Sequence, residues 1–227
     1  AFCNVLGLFF LFQETHIIKV KAKIKLTKIF NTLQEAWEDR NIRKVSFLFL
    51  MMQLGWGIFY QFMSYYLVQT MNYDGLKIGF FNAIIGLIFS ITLVFVIRIL
   101  LKILSVVMLT IVTLASQGIF TFLYAIFPQE IGIWLLLVPV TLSVGLSYTC
   151  LLTLYSESTS SERQGWVMGV SESVMSIAWI IGSLFTANIS YFPKGSIFCI
   201  AGILPLFALL AVKSIRNNQA QESATSI

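Results

Sequence analysis

The sequence predicts an all-α protein, a polytopic bundle of hydrophobic helices that cross a membrane. Of its 227 residues, 58% are hydrophobic and 11% are charged, and the mean hydropathy is +0.86. A soluble domain of this length could not bury so much apolar surface around one core, so lipid must cover much of it. Because unsatisfied backbone groups are costly in hydrocarbon, the long continuous apolar runs of this chain predict helices.

The first 44 residues are expected to lie outside the helical bundle. Residues 1–13 are apolar but too short to cross about 30 Å of hydrocarbon, and we expect them to be the end of a truncated transmembrane helix. Residues 14–44 are polar and rich in lysine, which predicts a basic cytoplasmic linker. Phe30, Leu33 and Trp37 recur there at helical spacing, which suits an amphipathic surface segment as well as a solvated connector.

Residues 45–213 hold the predicted six-helix transmembrane bundle. A helix rises about 1.5 Å per residue, so a run of roughly twenty apolar residues spans the bilayer. Six such runs occur, at residues 45–68, 78–96, 104–127, 131–154, 166–189 and 197–212. The last run is the shortest and needs its flanks to span. Residues 214–227 are polar and predict a disordered cytoplasmic tail.

Positive charge follows alternate connections between these runs. Successive connections lie on opposite sides of the membrane. Of the 15 lysines and arginines, only Lys77 and Lys194 fall on the side opposite the linker. Basic residues are retained in the cytoplasm during insertion, so the linker and the carboxy terminus are predicted to be cytoplasmic. One helix more or fewer would destroy this partition, so the charges support a count of six.

Nothing in the sequence indicates an enzyme, a cofactor or a metal site. His16 is the single histidine, and Cys3, Cys150 and Cys199 are far apart without the paired spacing of a zinc or redox site. No nucleophile elbow and no phosphate-binding loop occur in the sequence. The net charge of +5 reflects topology, since no soluble domain is present to bind nucleic acid.

One face of the first run carries polar and aromatic side chains. Gln53, Trp56 and Tyr60 recur at spacings of three and four, with Gln61 beside them. Such a stripe can hold an amphipathic small molecule by stacking and hydrogen bonding. Alternatively, the rings pack against other helices and the glutamines bridge them. Asn82 in the second run and Tyr148 in the fourth are further candidates for the same cavity.

Glu172 is the only acidic residue well inside an apolar run. It is a candidate site for a proton or another cation. It also lies only about 10 Å from the start of its helix, where it could reach interfacial water or pair with Arg163. In the same helix, Gly165 and Gly169 form a strip of small residues suited to a close helix crossing.

Several motifs along the chain resemble those of the major facilitator superfamily, whose members have twelve helices in two halves joined by a long basic linker. Three stretches carry the resemblance: Gln13, Glu14 and Thr15 before the linker, the turn at residues 73–79, and Glu162, Arg163, Gln164 and Gly165 with Gly169, Ile181 and Gly182. They are similar, in order, to the end of the sixth helix, to the turn and helix entry that follow the seventh helix, and to the entry of the eleventh helix in the drug and tetracycline efflux branch. The resemblance thus covers the end of helix six and helices seven to twelve. Ser183, in place of a frequent proline, departs from that branch, as does the connection at residues 98–102, which keeps only its charge.

The resemblance implies the carboxy-terminal half of a secondary transporter in a bacterial inner membrane. Such a protein moves a small molecule by alternating access, here by proton-coupled efflux, and its partners would be the lipid bilayer and an amino-terminal six-helix half. Gln53, Trp56, Tyr60, Gln61, Asn82 and Tyr148 would line the substrate site, and Arg163, Gly165 and Gly169 would serve helix packing or gating. The alternatives are a metabolite uptake permease and an inactive remnant or membrane scaffold.

Overall fold

The computed structural model describes residues 34–188 and 192–225, and no strand occurs among them. The all-α prediction is confirmed. The long helices of this part of the chain are α1 (Arg40–Met71), α2 (Gly75–Ile91), α3 (Val106–Ile126), α4 (Glu130–Glu157), α5 (Gln164–Ala187) and α6 (Lys194–Thr225). Residues 34–38 are also helical, and a short 3-10 turn at Ser161–Arg163 precedes α5. Helix α2 continues through a wider π-helical turn at Thr92–Val96 into Ile97–Leu100.

Five helices, α1 to α5 with their short extensions, are long and apolar enough to cross a membrane, and α6 contains a shorter apolar stretch at Gly195–Leu210. The chain is therefore a multi-pass membrane helix bundle. Helix α1 starts at Arg40, so the last residues of the predicted linker are helical. Residues 1–33, which include the first apolar segment and most of the linker, lie outside the described residues.

Acidic side chains fix where the first two helices begin. Asp39 Oδ1 accepts hydrogen bonds from the backbone N–H groups of Asn41 and Ile42, at 2.9 and 3.1 Å. Asp74 accepts one from the backbone N–H of Lys77 at 2.8 Å. These N-caps satisfy donors that have no partner within their helix, and a carboxylate there also interacts favourably with the helix dipole. The helix boundaries thus follow from short polar motifs beside the apolar runs.

Helix α1 lies at the centre of the bundle, in contact with α4, α5 and α6, while α3 packs against α4 and α6. The most apolar window of α1 is 67% buried, but the corresponding windows of the second and fifth spans are only 17% and 28% buried. Helices α2 and α5 therefore present wide apolar faces away from this bundle.

Glycines allow α6 to approach two other helices closely. A Cβ atom at Gly118 of α3 would lie 2.7 Å from the carbonyl oxygen of Gly202, and a Cβ at Gly202 would lie 2.7 Å from the carbonyl oxygen of Gly118. A Cβ at Gly55 of α1 would meet the Ala201 carbonyl oxygen at 2.7 Å. Close backbone approach at small residues is a common basis for helix association in lipid.

The helix of the sixth run extends further than the sequence indicates. Residues 214–225 continue α6 instead of forming the expected disordered tail. Once a helix has been nucleated in an apolar span, each added residue gains a hydrogen bond at small cost, so polar residues can prolong it.

A hydrogen-bonded cluster joins the α1–α2 connection to the start of α4. The Tyr73 hydroxyl donates to Glu130 Oε1 at 2.6 Å and accepts from Trp134 Nε1 at 3.1 Å. Burial raises the pKa of the Tyr73 phenol, and the hydrogen bond and charge of Glu130 raise that pKa further, while the Trp134 bond opposes them. The cluster is therefore stable with a neutral Tyr73.

Replacement of Tyr73 by Phe should destabilise the chain by about 1 kcal/mol at neutral pH, because Glu130 and Trp134 lose a hydrogen-bond partner. A phenol whose pKa is raised on folding stabilises the fold fully below the unfolded value of about 10 and loses this effect as pH rises through the folded value. The difference in melting temperature between wild type and Tyr73→Phe should thus shrink above about pH 10. Thermal unfolding in detergent across this range measures it.

Tyr65→Phe is the matched control, since Tyr65 is 40% exposed at the same end of α1. It should melt like the wild type at every pH. A Tyr73→Phe difference that stayed constant through the alkaline range would show that the hydroxyl does not act through this cluster.

Candidate substrate cavity

A cavity of about 250 Å³ lies between α1, α2, α4 and α5. Its lining consists mainly of aromatic and aliphatic side chains, with one amide: Gln53, Trp56, Phe89, Leu93, Val144, Tyr148, Met175 and Trp179. Three of the predicted site residues, Gln53, Trp56 and Tyr148, are among them. Predominantly apolar walls with a few directed polar groups are typical of small-molecule sites.

The walls are held in place by ring contacts. The Trp56 ring centroid lies 5.8 Å from that of Phe89 in an edge-to-face arrangement and 5.6 Å from that of Tyr60. On the other side of the cavity, the Tyr148 ring lies 5.8 Å from Phe49. Edge-to-face and offset pairs of this kind add stability beyond burial alone. The aromatic lining is therefore preformed.

Tyr60 and Asn82 lie next to this cavity and bond to each other. The Tyr60 hydroxyl donates to Asn82 Oδ1 at 3.1 Å, which ties α1 to α2. The Tyr60 ring also makes an edge contact with Trp179 of α5, with centroids 6.2 Å apart. Tyr60 and Asn82 are therefore close to the cavity, but they are not among its lining residues. Trp179, which the Tyr60 ring contacts, does line it.

Gln61 lies elsewhere, in the interface between α1 and α5. Its Oε1 accepts a hydrogen bond from the Thr186 hydroxyl at 3.0 Å, and its Nε2 is buried without a partner among the described residues. That Nε2 atom is 3.6 Å from the Cβ position of Gly182. Gln61 therefore follows the bridging interpretation of the glutamines and does not line the cavity.

Glu172 is exposed on α5, one and two turns before the lining residues Met175 and Trp179. Residues at this spacing share a helix face. Glu172 is not among the residues that line the cavity, but it lies on the same face of α5 as two of them.

Arg163 does not pair with Glu172. Its guanidinium forms an ion pair with Glu35 and lies over the Trp166 ring, with the guanidinium carbon 4.1 Å from the ring centroid. The alternative in which Arg163 pairs with Glu172 is wrong, because the ion-pair partner of Arg163 is Glu35, in the segment before α1. Arg163 connects the start of α5 to the segment before α1.

Gly165 and Gly169 have open space around them in the described residues. A Cβ atom at either position would meet nothing within 4 Å. The close crossing expected at these glycines is therefore not made with α1 to α4 or with the described part of α6. Both glycines belong to the face of α5 that is turned away from the bundle.

Sequence reasoning missed Phe89, Leu93, Val144, Met175 and Trp179 as lining residues. Apolar side chains of a membrane helix give no sign of whether they face lipid, a neighbour or a cavity. Trp179 offered the one usable signal, since it lies seven residues after Glu172 and so on the same helix face. Among the described residues, no cluster of three or more histidine, cysteine or acidic side chains could hold a metal ion.

Comparison with known proteins supports the family to which the motifs point. The comparison with curated proteins finds no match. The family model described as Major Facilitator Superfamily matches residues 1–183, which include α1 to α4 and most of α5. Such a match covers well over half of the 227 residues and agrees with the helical membrane architecture. This chain belongs to the Major Facilitator Superfamily.

Proposed function

We propose that the chain is the carboxy-terminal half of a proton-coupled efflux transporter that moves lipophilic cations. The observation that carries this proposal is the cavity, which Trp56, Tyr148 and Trp179 line together, with Glu172 on the same face of α5 as Trp179. Aromatic faces attract cations, most strongly where water is excluded. A flat aromatic cation such as ethidium suits these walls by stacking.

The two least buried helices support the proposed second half. Gly86 and Ser90 of α2, and Gly169, Ser176 and Ser183 of α5, are exposed on these helices beside large apolar side chains. Small polar residues contribute little against lipid but permit close packing with another helix. These faces therefore suit an amino-terminal six-helix half, which would close the cavity from the opposite side.

The distribution of basic residues supports a cytoplasmic location for the end of the bundle at which α1 starts. Lys102 lies at that end and Lys77 at the other, and both are exposed. In sealed cells an impermeant amine reagent should modify Lys77 and leave Lys102 unmodified until the membrane is opened. Modification of both lysines from the same side would contradict this orientation in the proposed bacterial inner membrane.

Efflux and uptake make opposite predictions in cells. Cells that express this chain together with an amino-terminal six-helix half should accumulate less ethidium than cells with either part alone. Accumulation of a hydrophilic metabolite, with no change in ethidium, would favour the uptake permease. No difference for any solute would favour the inactive remnant or scaffold, and either result would contradict efflux.

Glu172→Gln should separate proton coupling from substrate movement. Loss of the carboxylate removes the group proposed to carry the proton, so uphill ethidium transport driven by a pH gradient should fall at least tenfold. Ethidium counterflow, which needs no proton movement, should stay near the wild-type rate because Gln keeps the size and polarity of the side chain.

Glu157→Gln is the control for this prediction. Glu157 ends α4 outside the cavity, and its substitution should leave both rates unchanged. Gradient-driven transport that persists in Glu172→Gln would exclude Glu172 from coupling, and an equal fall in counterflow would assign it to substrate binding.

A further inference from the structure

A second, larger cavity of the described residues is a groove between α1 and α5, with a volume of about 520 Å³. Its walls on α5 are Val170, Val174 and Ile177. These residues fall on a different side of the helix from Met175 and Trp179, since each residue advances the helix by about 100°. The groove therefore faces away from the central cavity.

The groove is apolar inside and basic at its mouth. The other apolar lining residues are Phe47 and Leu50 of α1 and, in the segment before α1, Ala36 and Trp37. Arg43 and Lys44 lie at the end where α1 begins. An Arg43 guanidinium N–H donates to the Trp37 carbonyl oxygen at 3.0 Å, which holds the charge beside the opening. This separation of apolar and cationic surface matches an amphiphile with an anionic head.

The length of the groove fits one leaflet of a bilayer. From Arg43 to Leu50 the helix rises about 10 Å, and Val170 to Ile177 covers the same distance on α5. One leaflet contributes about 15 Å of hydrocarbon. The apolar walls thus extend from the level of the lipid head groups through much of one leaflet, as an acyl chain does.

Charge at the mouth favours an anion. Arg40 and Arg43 are close enough to Lys44 to repel it, and an anion among them would relieve that repulsion.

We propose that this groove binds one anionic phospholipid, with an acyl chain between α1 and α5 and its phosphate against Arg43 and Lys44. Basic pockets between transmembrane helices are suited to acidic lipid head groups, which are attracted at each Lys or Arg near the surface. The site would fix the base of α1 relative to α5. It does not depend on the proposed transport activity, because it uses a different face of the bundle.

Native mass spectrometry of the purified chain in detergent tests this site. Phosphatidylglycerol or phosphatidylcholine with identical acyl chains is added, and the bound lipid is counted. We expect one phosphatidylglycerol to bind more tightly than any phosphatidylcholine. The double variant Arg43→Gln with Lys44→Gln should weaken that binding about thirty-fold. Val174→Trp, which fills the groove without changing charge, should weaken both lipids at this site.

Arg98→Gln with Lys102→Gln is the matched control, since it removes two positive charges near the same end of the bundle but outside the groove. It should bind phosphatidylglycerol like the wild type. If the control variant lost phosphatidylglycerol binding as much as the Arg43 and Lys44 variant, any positive charge near this end would account for the effect. That result would overturn the proposal. Equal binding of phosphatidylglycerol and phosphatidylcholine would overturn it as well. So would lipid binding that is unchanged in Val174→Trp, or a wild-type protein that binds no lipid because another segment fills the groove.

Discussion

Replacement of Trp56 by Ala should weaken ethidium binding by this protein about thirty-fold, measured as a rise in the KM of counterflow in proteoliposomes that also contain an amino-terminal half. The Trp56 ring borders the cavity and is 7% exposed, in contact with Phe59, Tyr60 and Phe89. Buried aromatic anchors of this kind account for about 2 kcal/mol or more of binding energy. At room temperature, 2 kcal/mol corresponds to about thirty-fold in affinity.

Two further variants separate binding from folding in this experiment. Trp56→Phe keeps an aromatic face and should retain most of the affinity. Tyr65→Ala removes an exposed ring from the same helix outside the cavity and should leave KM unchanged. An unchanged KM in Trp56→Ala that still inserts into the membrane would exclude this cavity as the substrate site.

Replacement of Gly118 by Leu should destabilise the bundle by about 3 kcal/mol or more, the upper part of the range for overpacked interiors. Even one added carbon would approach the Gly202 backbone to 2.7 Å, so α3 and α6 would have to separate. Gly118→Ala should already cost about 1 to 3 kcal/mol. Thermal unfolding in a mild detergent measures these losses.

Gly86→Ala is the control for this crossing, because a Cβ atom there would meet nothing within 4 Å. It should be neutral or stabilising by up to about 1 kcal/mol, since alanine loses less backbone entropy in a helix than glycine. The double variant Gly118→Ala with Gly202→Ala should lose less than the two single variants together, because both clashes separate the same pair of helices. Additive losses, or an unaffected Gly118→Leu, would contradict the close crossing.

The sequence alone predicts most of the fold because lipid imposes simple rules. Helical spans follow from apolar runs, and their ends follow from caps such as Asp39 and Asp74. The glycine crossing of Gly118 and Gly202 could not be predicted in this way. A glycine within an apolar run has the same appearance whether it lies on an exposed face, as Gly86 does in the described part of the chain, or against a neighbouring backbone.

The site was predictable only where polar and aromatic residues recur with helical spacing. That pattern identified Gln53 and Trp56, and Tyr148 followed from its own polar face. The pattern could not distinguish Gln53 from Gln61. The two glutamines are eight positions apart in α1, so both lie within the same broad stripe on the helix surface. Only the position of α5, with Thr186 opposite Gln61, shows that the second amide bridges helices.

The cavity together with a second six-helix half is the centre of this account, and ethidium counterflow tests it most directly. Proteoliposomes that contain this chain and an amino-terminal half from another superfamily transporter should exchange ethidium at a saturable rate, and vesicles with either half alone should not. No exchange by the pair, or equal exchange by this chain alone, would contradict transport through a cavity shared by two halves.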